Sequence, residues 1–233
     1  MSLIHAIAGS VANAAGGFSL GDEMWEQLDQ VSLTSNATDI TFTSAGSASA
    51  WSGYRDLVFY MRGKMGHTSG SPSGNTESSI NMEINDYDLA TTSNRQYYNY
   101  RMCNGVKGSS YTNTEYSNMS TATGNQYANN FAWMTGASGN YAEAPSIILM
   151  TAFDINNNKT KYMQTESFTP VTDTSTSAQN VHHLDGMWTW FGTNGRNISV
   201  PAITKFNFIC KEASNGHRFG NGMHVSCFGI KDT

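Results

Sequence analysis

Apolar and polar residues alternate one by one along several short segments of this chain, and this pattern constrains the fold more than any other feature. Between residues 79 and 85, Ile80, Met82 and Ile84 fall on one side of an extended chain and polar residues fall on the other. A repeat of two residues is the repeat of a β-strand with one buried face. The segment therefore predicts a half-buried strand, and the Asn85-Asp86 pair that follows predicts a turn.

Two further segments carry longer apolar runs. In residues 57–62, Leu57, Phe59 and Met61 share one face of a predicted strand. Residues 147–150 are all apolar, and such a run predicts a strand that is buried on both faces in the middle of a sheet. Residues 160–168 are expected to pair with this strand as a hairpin across a polar loop.

The last two strands are predicted over residues 203–211 and 222–231 and can form an antiparallel hairpin. If position 210 faces position 223, the apolar residues of both strands meet on one face of a single sheet. In that register Cys210 is not opposite Cys227, which predicts buried thiols and no disulfide. The three cysteines form no C-x-x-C pair, so the sequence suggests neither a zinc site nor a disulfide framework.

Composition agrees with a β fold and disfavours some partners. Charged residues make up 13% of the chain, compared with about 25% in an average soluble domain. Residues that favour helices are scarce, whereas β-branched and aromatic residues are plentiful. A net charge of −5 without a basic stripe argues against nucleic-acid binding. We predict an all-β chain that forms a jelly-roll-like antiparallel β-sandwich of about nine or ten strands.

The first 28 residues differ from the rest because they contain an Ala/Gly-rich run. We predict an N-terminal arm over residues 1–28 and a sandwich domain over residues 29–233. The arm is either a loosely ordered terminus or a segment that becomes ordered by docking on a partner. The proposed docking residues are Leu3, Ile4, Ile7 and Trp25. The start of the chain lacks a basic region and a long apolar run, so we expect neither a signal peptide nor a membrane helix.

No motif of known chemistry is complete in the sequence. Residues 70–74 place Pro72 where the serine of a nucleophile elbow would stand, and the glycine pairs near residues 192 and 220 lack the spacing of a phosphate loop. In the run His182-His183-Leu184-Asp185, His183 and Asp185 share a strand face. Two ligands do not make a metal site, and a solvated polar strand is favoured. We expect no enzyme activity, no catalytic residue, no metal and no cofactor.

Aromatic residues are better candidates for a binding surface. Trp188 and Trp190 stand two positions apart, which suits either a wall of the core or a platform for sugar rings, with burial favoured. Tyrosines in one predicted strand and in the loops are expected to form an external contact surface, because tyrosine supplies contact area at low entropic cost. These tyrosines are Tyr98, Tyr100, Tyr111, Tyr116 and Tyr127.

Several short landmarks follow one another along the chain. They are Tyr54-Arg55-Asp56-Leu57-Val58, Ile84-Asn85-Asp86, Tyr98-Asn99-Tyr100, Gly186-Met187-Trp188, Ala202-Ile203-Thr204-Lys205-Phe206, Phe219 and Cys227-Phe228-Gly229-Ile230-Lys231. In this order, over residues 29–231, they resemble β-rich structural proteins of tailed bacteriophages, many of which come from marine and cyanobacterial phages. The resemblance depends on the order of the landmarks.

The resemblance implies a jelly-roll module of a virion, on the capsid, a head fibre or a tail fibre, assembled in the host cytoplasm. Our first hypothesis is a capsid decoration or short head-fibre protein. It would form a homo-oligomer, with a trimer favoured, and dock on other virion proteins through its arm. The alternative is a tail-associated receptor-binding protein that recognises a host cell-surface glycan. A third hypothesis, an enzyme acting on surface polysaccharide, requires two carboxylates held about 5–10 Å apart.

Overall fold

The computed structural model describes residues 25–68, 77–88, 96–106, 112–114, 132–135, 145–173, 178–190, 200–210 and 216–231. Within these ranges the regular structure consists of β-strands and one short 3-10 helix. The predicted all-β class and the antiparallel sandwich are therefore confirmed. No helix in the described ranges is long and apolar enough to cross a membrane.

The strands occur in the following order along the described chain. They are β1 (Trp25–Ser32), β2 (Asp39–Thr43), β3 (Asp56–Gly63), β4 (Met65–His67), β5 (Glu77–Ile84), β6 (Tyr87–Asp88), β7 (Gln96–Val106), β8 (Thr112–Thr114), β9 (Ala132–Thr135), β10 (Ser146–Phe153), β11 (Lys161–Asp173), β12 (Ala178–Trp190), β13 (Lys205–Cys210), β14 (His217–Phe219) and β15 (His224–Ile230). The 3-10 helix η1 (Trp51–Gly53) lies between β2 and β3.

The strands form two large sheets and one small sheet. The first sheet has eight strands in the order β1-β15-β3-β10-β11-β12-β7-β8. The second has five strands, with β2, β13, β5 and β6 in a row and β9 also paired with β5. β4 and β14 form the small sheet. The first and last described strands lie side by side, so the first sheet is held together by pairing between distant parts of the chain.

The two large sheets enclose an aromatic core. Phe59 of β3 is fully buried at its centre. Its ring centre lies 5.4 Å from that of Phe42 in β2, 5.0 Å from Phe206 and 5.2 Å from Phe208, both in β13. All three contacts are edge-to-face, an arrangement that aromatic pairs prefer. Because β3 belongs to the first sheet and the other strands to the second, these contacts join the sheets.

The half-buried strand predicted from alternation is present as β5. Ile80, Met82 and Ile84 are buried in the core. The predicted turn lies at Asn85 and Asp86, whose φ angles are 50° and 65°. Two-residue hairpin turns require this left-handed region, which Asn and Asp adopt more readily than most residues. β5 pairs with β6 across the turn.

The apolar run at residues 147–150 forms part of β10, between β3 and β11 in the interior of the first sheet. The predicted hairpin is confirmed, since Ile147 lies opposite Phe168 and Phe153 lies opposite Tyr162. Residues 148–150 are buried on both faces, as expected. Ile147 departs from the prediction because its side chain is 37% exposed.

The predicted hairpin of the last two strands is wrong. β13 pairs with β2 and β5 in the second sheet, whereas β15 pairs with β1 and β3 in the first. The apolar residues of both strands reach the same core from opposite sides, because alternation fixes which residues share a face but does not fix which sheet a strand joins. Cys210 and Cys227 are buried and form no disulfide with each other, as predicted. Burial raises the pKa of the Cys227 thiol.

The described part of the predicted arm belongs to the first sheet. Trp25 lies opposite Ile230 in the β1–β15 pair, and Leu28 is buried in the core. Residues 25–28 are therefore strand residues, which corrects the boundary placed after residue 28. The physical reason is that Leu28, the extra residue of a bulge between Gln27 and Asp29, is buried in the core, and Val31 packs against the core as well. Residues 1–24 lie outside the described residues.

Candidate functional site

The first sheet is apolar on the face that is turned away from the second sheet. In β3, Val58 and Tyr60 alternate with the core residues and therefore point outward. Val58 forms a hydrophobic cluster with Leu149 of β10 and Ile230 of β15, separate from the core. We call this surface the outer face. Its residues are Trp25, Val58, Tyr60, Leu149, Phe228 and Ile230.

The centre of the outer face is buried within the chain, since Val58 is 0%, Leu149 6% and Ile230 9% exposed. Exposed hydrophobic residues of the same face lie beside it on β10 and β11. Ile147 lies between Arg62 and Phe168 in the strand register and is 37% exposed. Tyr162 is 50% exposed. The outward side of a β-sandwich is usually polar. Exposed apolar side chains on this side, here Ile147 and Tyr162, can mark a contact with another protein.

Polar groups lie beside the apolar residues on the same face. The Nδ1 and Nε2 atoms of His224 are each 2.8 Å from a hydroxyl oxygen, that of Ser32 and that of Ser226. Both ring nitrogens of His224 thus contact serine hydroxyls. Arg62 and Glu166, placed by register on either side of β10, bring opposite charges to this face.

A second candidate site is a polar cleft of about 260 Å³ where the β10–β11 loop meets η1. The cleft is lined by Ser52, Gly53, Tyr54, Arg55, Asp154, Asn156 and Asn157. The side-chain amide of Asn156 donates to the carbonyl oxygens of Trp51, at 2.9 Å, and Tyr54, at 2.7 Å. These bonds attach the loop to η1.

A buried carboxylate fixes the base of the polar cleft. Asp56 is only 3% exposed, and its Oδ2 atom accepts a hydrogen bond of 2.8 Å from the Arg55 guanidinium. Its Oδ1 atom accepts the backbone N–H of Asp154 at 2.9 Å. Asp154 has a φ of 48°, in the left-handed region. An unusual backbone conformation persists only where its surroundings hold it, and here the bond to Asp56 contributes to holding it.

Lys161 binds the β10–β11 loop from its buried side. Its side chain is fully buried, and its Nζ atom donates to the backbone oxygen of Asp154 at 3.1 Å and to Oδ1 of Asn157 at 3.0 Å. It also donates to the backbone oxygen of Asn157. Burial lowers the pKa of Lys161 to about 8, although the negative charge of Asp154 opposes this shift. The loop wall of the cleft is therefore braced by hydrogen bonds on both sides.

The structure gives partial information on the predicted contact residues. Tyr98 and Tyr100 lie in β7, opposite Trp188 and Gly186 of β12. Trp25 lies on the outer face. The remaining predicted residues fall outside the described ranges, namely Tyr111, Tyr116, Tyr127, Leu3, Ile4 and Ile7. The tyrosine contact surface and the docking arm thus stay predictions, and so does the choice between a core wall and a platform for Trp188 and Trp190.

The polar run at residues 182–185 lies in β12. His183 is opposite Phe168 and Asp185 is opposite Glu166 in β11. Across the described part of the chain, no group of three or more His, Cys, Asp or Glu side chains could hold a metal ion.

Sequence reasoning missed both the outer face and the polar cleft. A signal for the outer face was present, because five consecutive apolar residues from Leu57 to Met61 fill both faces of a strand. The cleft has a weaker signal, the Asn-rich loop at residues 154–159. Asn156 reaches carbonyl groups that are 105 and 102 positions away in sequence, which no local pattern reveals.

Comparison with known proteins adds no functional information. No protein-family model matches the chain, and no curated protein matches it. The chain shows a similarity to the solved structure of peanut lectin with a nine-residue peptide, at 8% sequence identity and a TM-score of 0.19 over 93% of this chain and 96% of the lectin chain. At this TM-score the likeness supports no conclusion about fold or ligand.

Proposed function

We propose that this chain is a non-enzymatic structural protein of a tailed-bacteriophage particle, exposed on the particle surface as a capsid decoration or short head-fibre module. The observation that carries the proposal is the exposed apolar edge of the outer face, where Ile147 and Tyr162 are 37% and 50% exposed. A subunit of an assembly can bury such exposed apolar side chains against a neighbour.

The phage-like landmarks also support a structural function, because several of them pack the fold. An added Cβ atom at Gly229 would overlap the Tyr54 ring, so this glycine allows the aromatic ring to approach the strand closely. The ammonium of Lys231 lies 5.7 Å from the centre of the same ring. Residues of this kind preserve a scaffold.

We assign the outer face to contact with a second copy of this chain in a homo-oligomer. The side chains of this face that a neighbour could still cover are Ile147 and Tyr162, together with the partly buried Trp25, Tyr60 and Phe228. Arg62 and Glu166 bring both signs of charge to the face, which allows a neighbouring copy of the chain to meet it without net repulsion.

Sedimentation of the purified chain tests the self-association. We expect an oligomer, with a trimer of three 25.4 kDa chains favoured. Ile147→Lys places a charge beside Arg62 on the outer face and should weaken assembly more than tenfold. Thr41→Lys is the matched control, since Thr41 is an exposed residue of β2 in the other sheet. A monomeric native chain, or equal assembly by both variants, would contradict the assignment of the outer face.

The particle assignment needs a separate test. Quantitative mass spectrometry of purified particles from a phage that encodes this chain should find it at a fixed ratio to the major capsid protein. Recovery of the chain only from the infected-cell lysate, and never from washed particles, would overturn the virion assignment whatever its oligomeric state.

A further inference from the structure

We propose that the polar cleft between η1 and the β10–β11 loop binds a neutral sugar residue, with Asp154, Asn156, Asn157 and Ser52 as its hydrogen-bonding groups. This inference goes beyond the proposed virion function and does not rest on it. A decoration, a fibre module or a protein with no place in a virion could each carry such a site.

The groups that the cleft offers are suited to hydroxyls. The side-chain NH2 group of Asn156 donates to carbonyl oxygens of Trp51 and Tyr54, so its Oδ1 atom remains as an acceptor. The Oδ1 atom of Asn157 accepts from Lys161, so its NH2 group remains as a donor. Asp154 and Ser52 are exposed at the cleft. Among the described residues, neither of their side chains has a hydrogen-bond partner. A sugar hydroxyl both donates and accepts, so it can satisfy this mixed set.

The charge distribution selects a neutral ligand. The guanidinium of Arg55 is already paired with Asp56, with a side-chain contact of 2.8 Å. Lys161 is buried behind the loop and bonded to loop oxygens. The Arg55 side chain is 45% exposed, but the Asp56 carboxylate compensates its charge, and the exposed negative charge among the lining residues is the Asp154 carboxylate. An anionic sugar would be repelled by it, whereas a neutral sugar can donate hydroxyl hydrogens to it.

Size and preorganisation point to a single ring. The volume of about 260 Å³ lies just below the range of roughly 300–1,000 Å³ of clefts that take drug-sized ligands. The loop is fixed by Asn156 in front, by the Asp56–Asp154 bond below and by Lys161 behind. A site whose walls are already ordered loses little entropy when it binds.

Saturation-transfer NMR with the full chain provides the test. The probes are the methyl glycosides of glucose, galactose, mannose and N-acetylglucosamine, each offered separately, with glucuronic acid and N-acetylneuraminic acid as anionic counterparts. We expect saturation transfer to at least one neutral probe. Its dissociation constant should be on the order of 1–10 mM, because one sugar ring makes few contacts.

Three variants locate the binding. Asp154→Asn removes the carboxylate charge and keeps a residue that adopts the left-handed region, and it should weaken binding at least tenfold. Gly53→Leu should block the cleft without disturbing the fold, since an added Cβ atom at Gly53 meets no atom within 4 Å. Asp86→Asn is the control, because it makes the same change at another residue of positive φ, away from the cleft.

Each result decides the question. Weaker binding by both cleft variants, with Asp86→Asn within about twofold of the native chain and all melting temperatures close to native, supports the proposal. The absence of transfer to every neutral probe overturns it. Unchanged binding in both cleft variants, or a preference for the anionic sugars, also overturns it. All of these results leave the particle and sedimentation tests unaffected.

Discussion

The contact of Phe59 with three rings of the opposite sheet predicts a large and specific loss of stability for Phe59→Leu. Leucine keeps much of the apolar volume, so the main loss is the three edge-to-face contacts, at about 0.5–1.5 kcal/mol each. Some of this loss is recovered by repacking and some is added by a small cavity. We expect the free energy of unfolding to fall by about 2–4 kcal/mol.

Urea unfolding of purified variants measures this loss, provided that the slope of the transition is unchanged. Phe153→Leu is the control, since Phe153 is only partly buried at the end of β10, and it should cost less than about 1 kcal/mol. A double-mutant cycle of Phe59→Leu with Phe208→Leu should give a coupling of about 0.5–1.5 kcal/mol. Additivity within about 0.3 kcal/mol would refute the cross-sheet contact.

Three further predictions concern single residues. The pKa of Lys161 is about 8 in the folded chain against an ordinary 10.5, so the unfolded chain binds more protons between these pH values. The contribution of Lys161 to the free energy of unfolding should therefore rise with pH across this window, by at most about 3 kcal/mol, whereas the raised pKa of the Cys227 thiol acts in the opposite direction. Urea unfolding of the native chain and of Lys161→Met measures this contribution. If the free energy of unfolding changes equally with pH in both, the prediction for Lys161 is wrong. Gly229→Ala should cost about 1–3 kcal/mol in thermal unfolding because the methyl group overlaps an aromatic ring. Gly53→Ala should leave the stability nearly unchanged, because a methyl group at Gly53 would lie in open space. Similar losses of stability for both variants would argue against close packing of Gly229 on the Tyr54 ring. Asn85→Gly keeps the turn but removes side-chain bonds to residues 202, 204 and 205. In chemical denaturation, Asn85→Gly should lower the free energy of unfolding by about 1–3 kcal/mol. A smaller loss than for Asp86→Gly would contradict a stabilising role of the Asn85 side-chain bonds.

Local pattern was enough to predict individual strands. Ile80, Met82 and Ile84 show a clean repeat of two, and the β10–β11 hairpin is joined by a short polar loop, so pairing and burial both follow from neighbouring residues. These are the parts of the fold in which sequence distance and spatial distance agree.

Local sequence pattern could not predict which sheet each strand joins, nor could it predict the outer face and the polar cleft. β13 and β15 are close in sequence but lie in opposite sheets, because each finds its partners among strands from the first half of the chain. Trp25 looks like part of a tail until β15 supplies a partner at the other end of the chain. The cleft likewise depends on Asn156 reaching η1. Each of these contacts closes a long loop, and local propensity carries no information about such pairings.

Cryo-microscopy of intact particles from a phage that encodes this chain tests the central claim most directly, if individual strands are resolved. We predict density for the eight-stranded sheet on the outside of the particle, with Ile147 and Tyr162 at the exposed edge of the outer face covered by a neighbouring copy. Particles without this density, or copies whose outer face is open to solvent, would contradict the account.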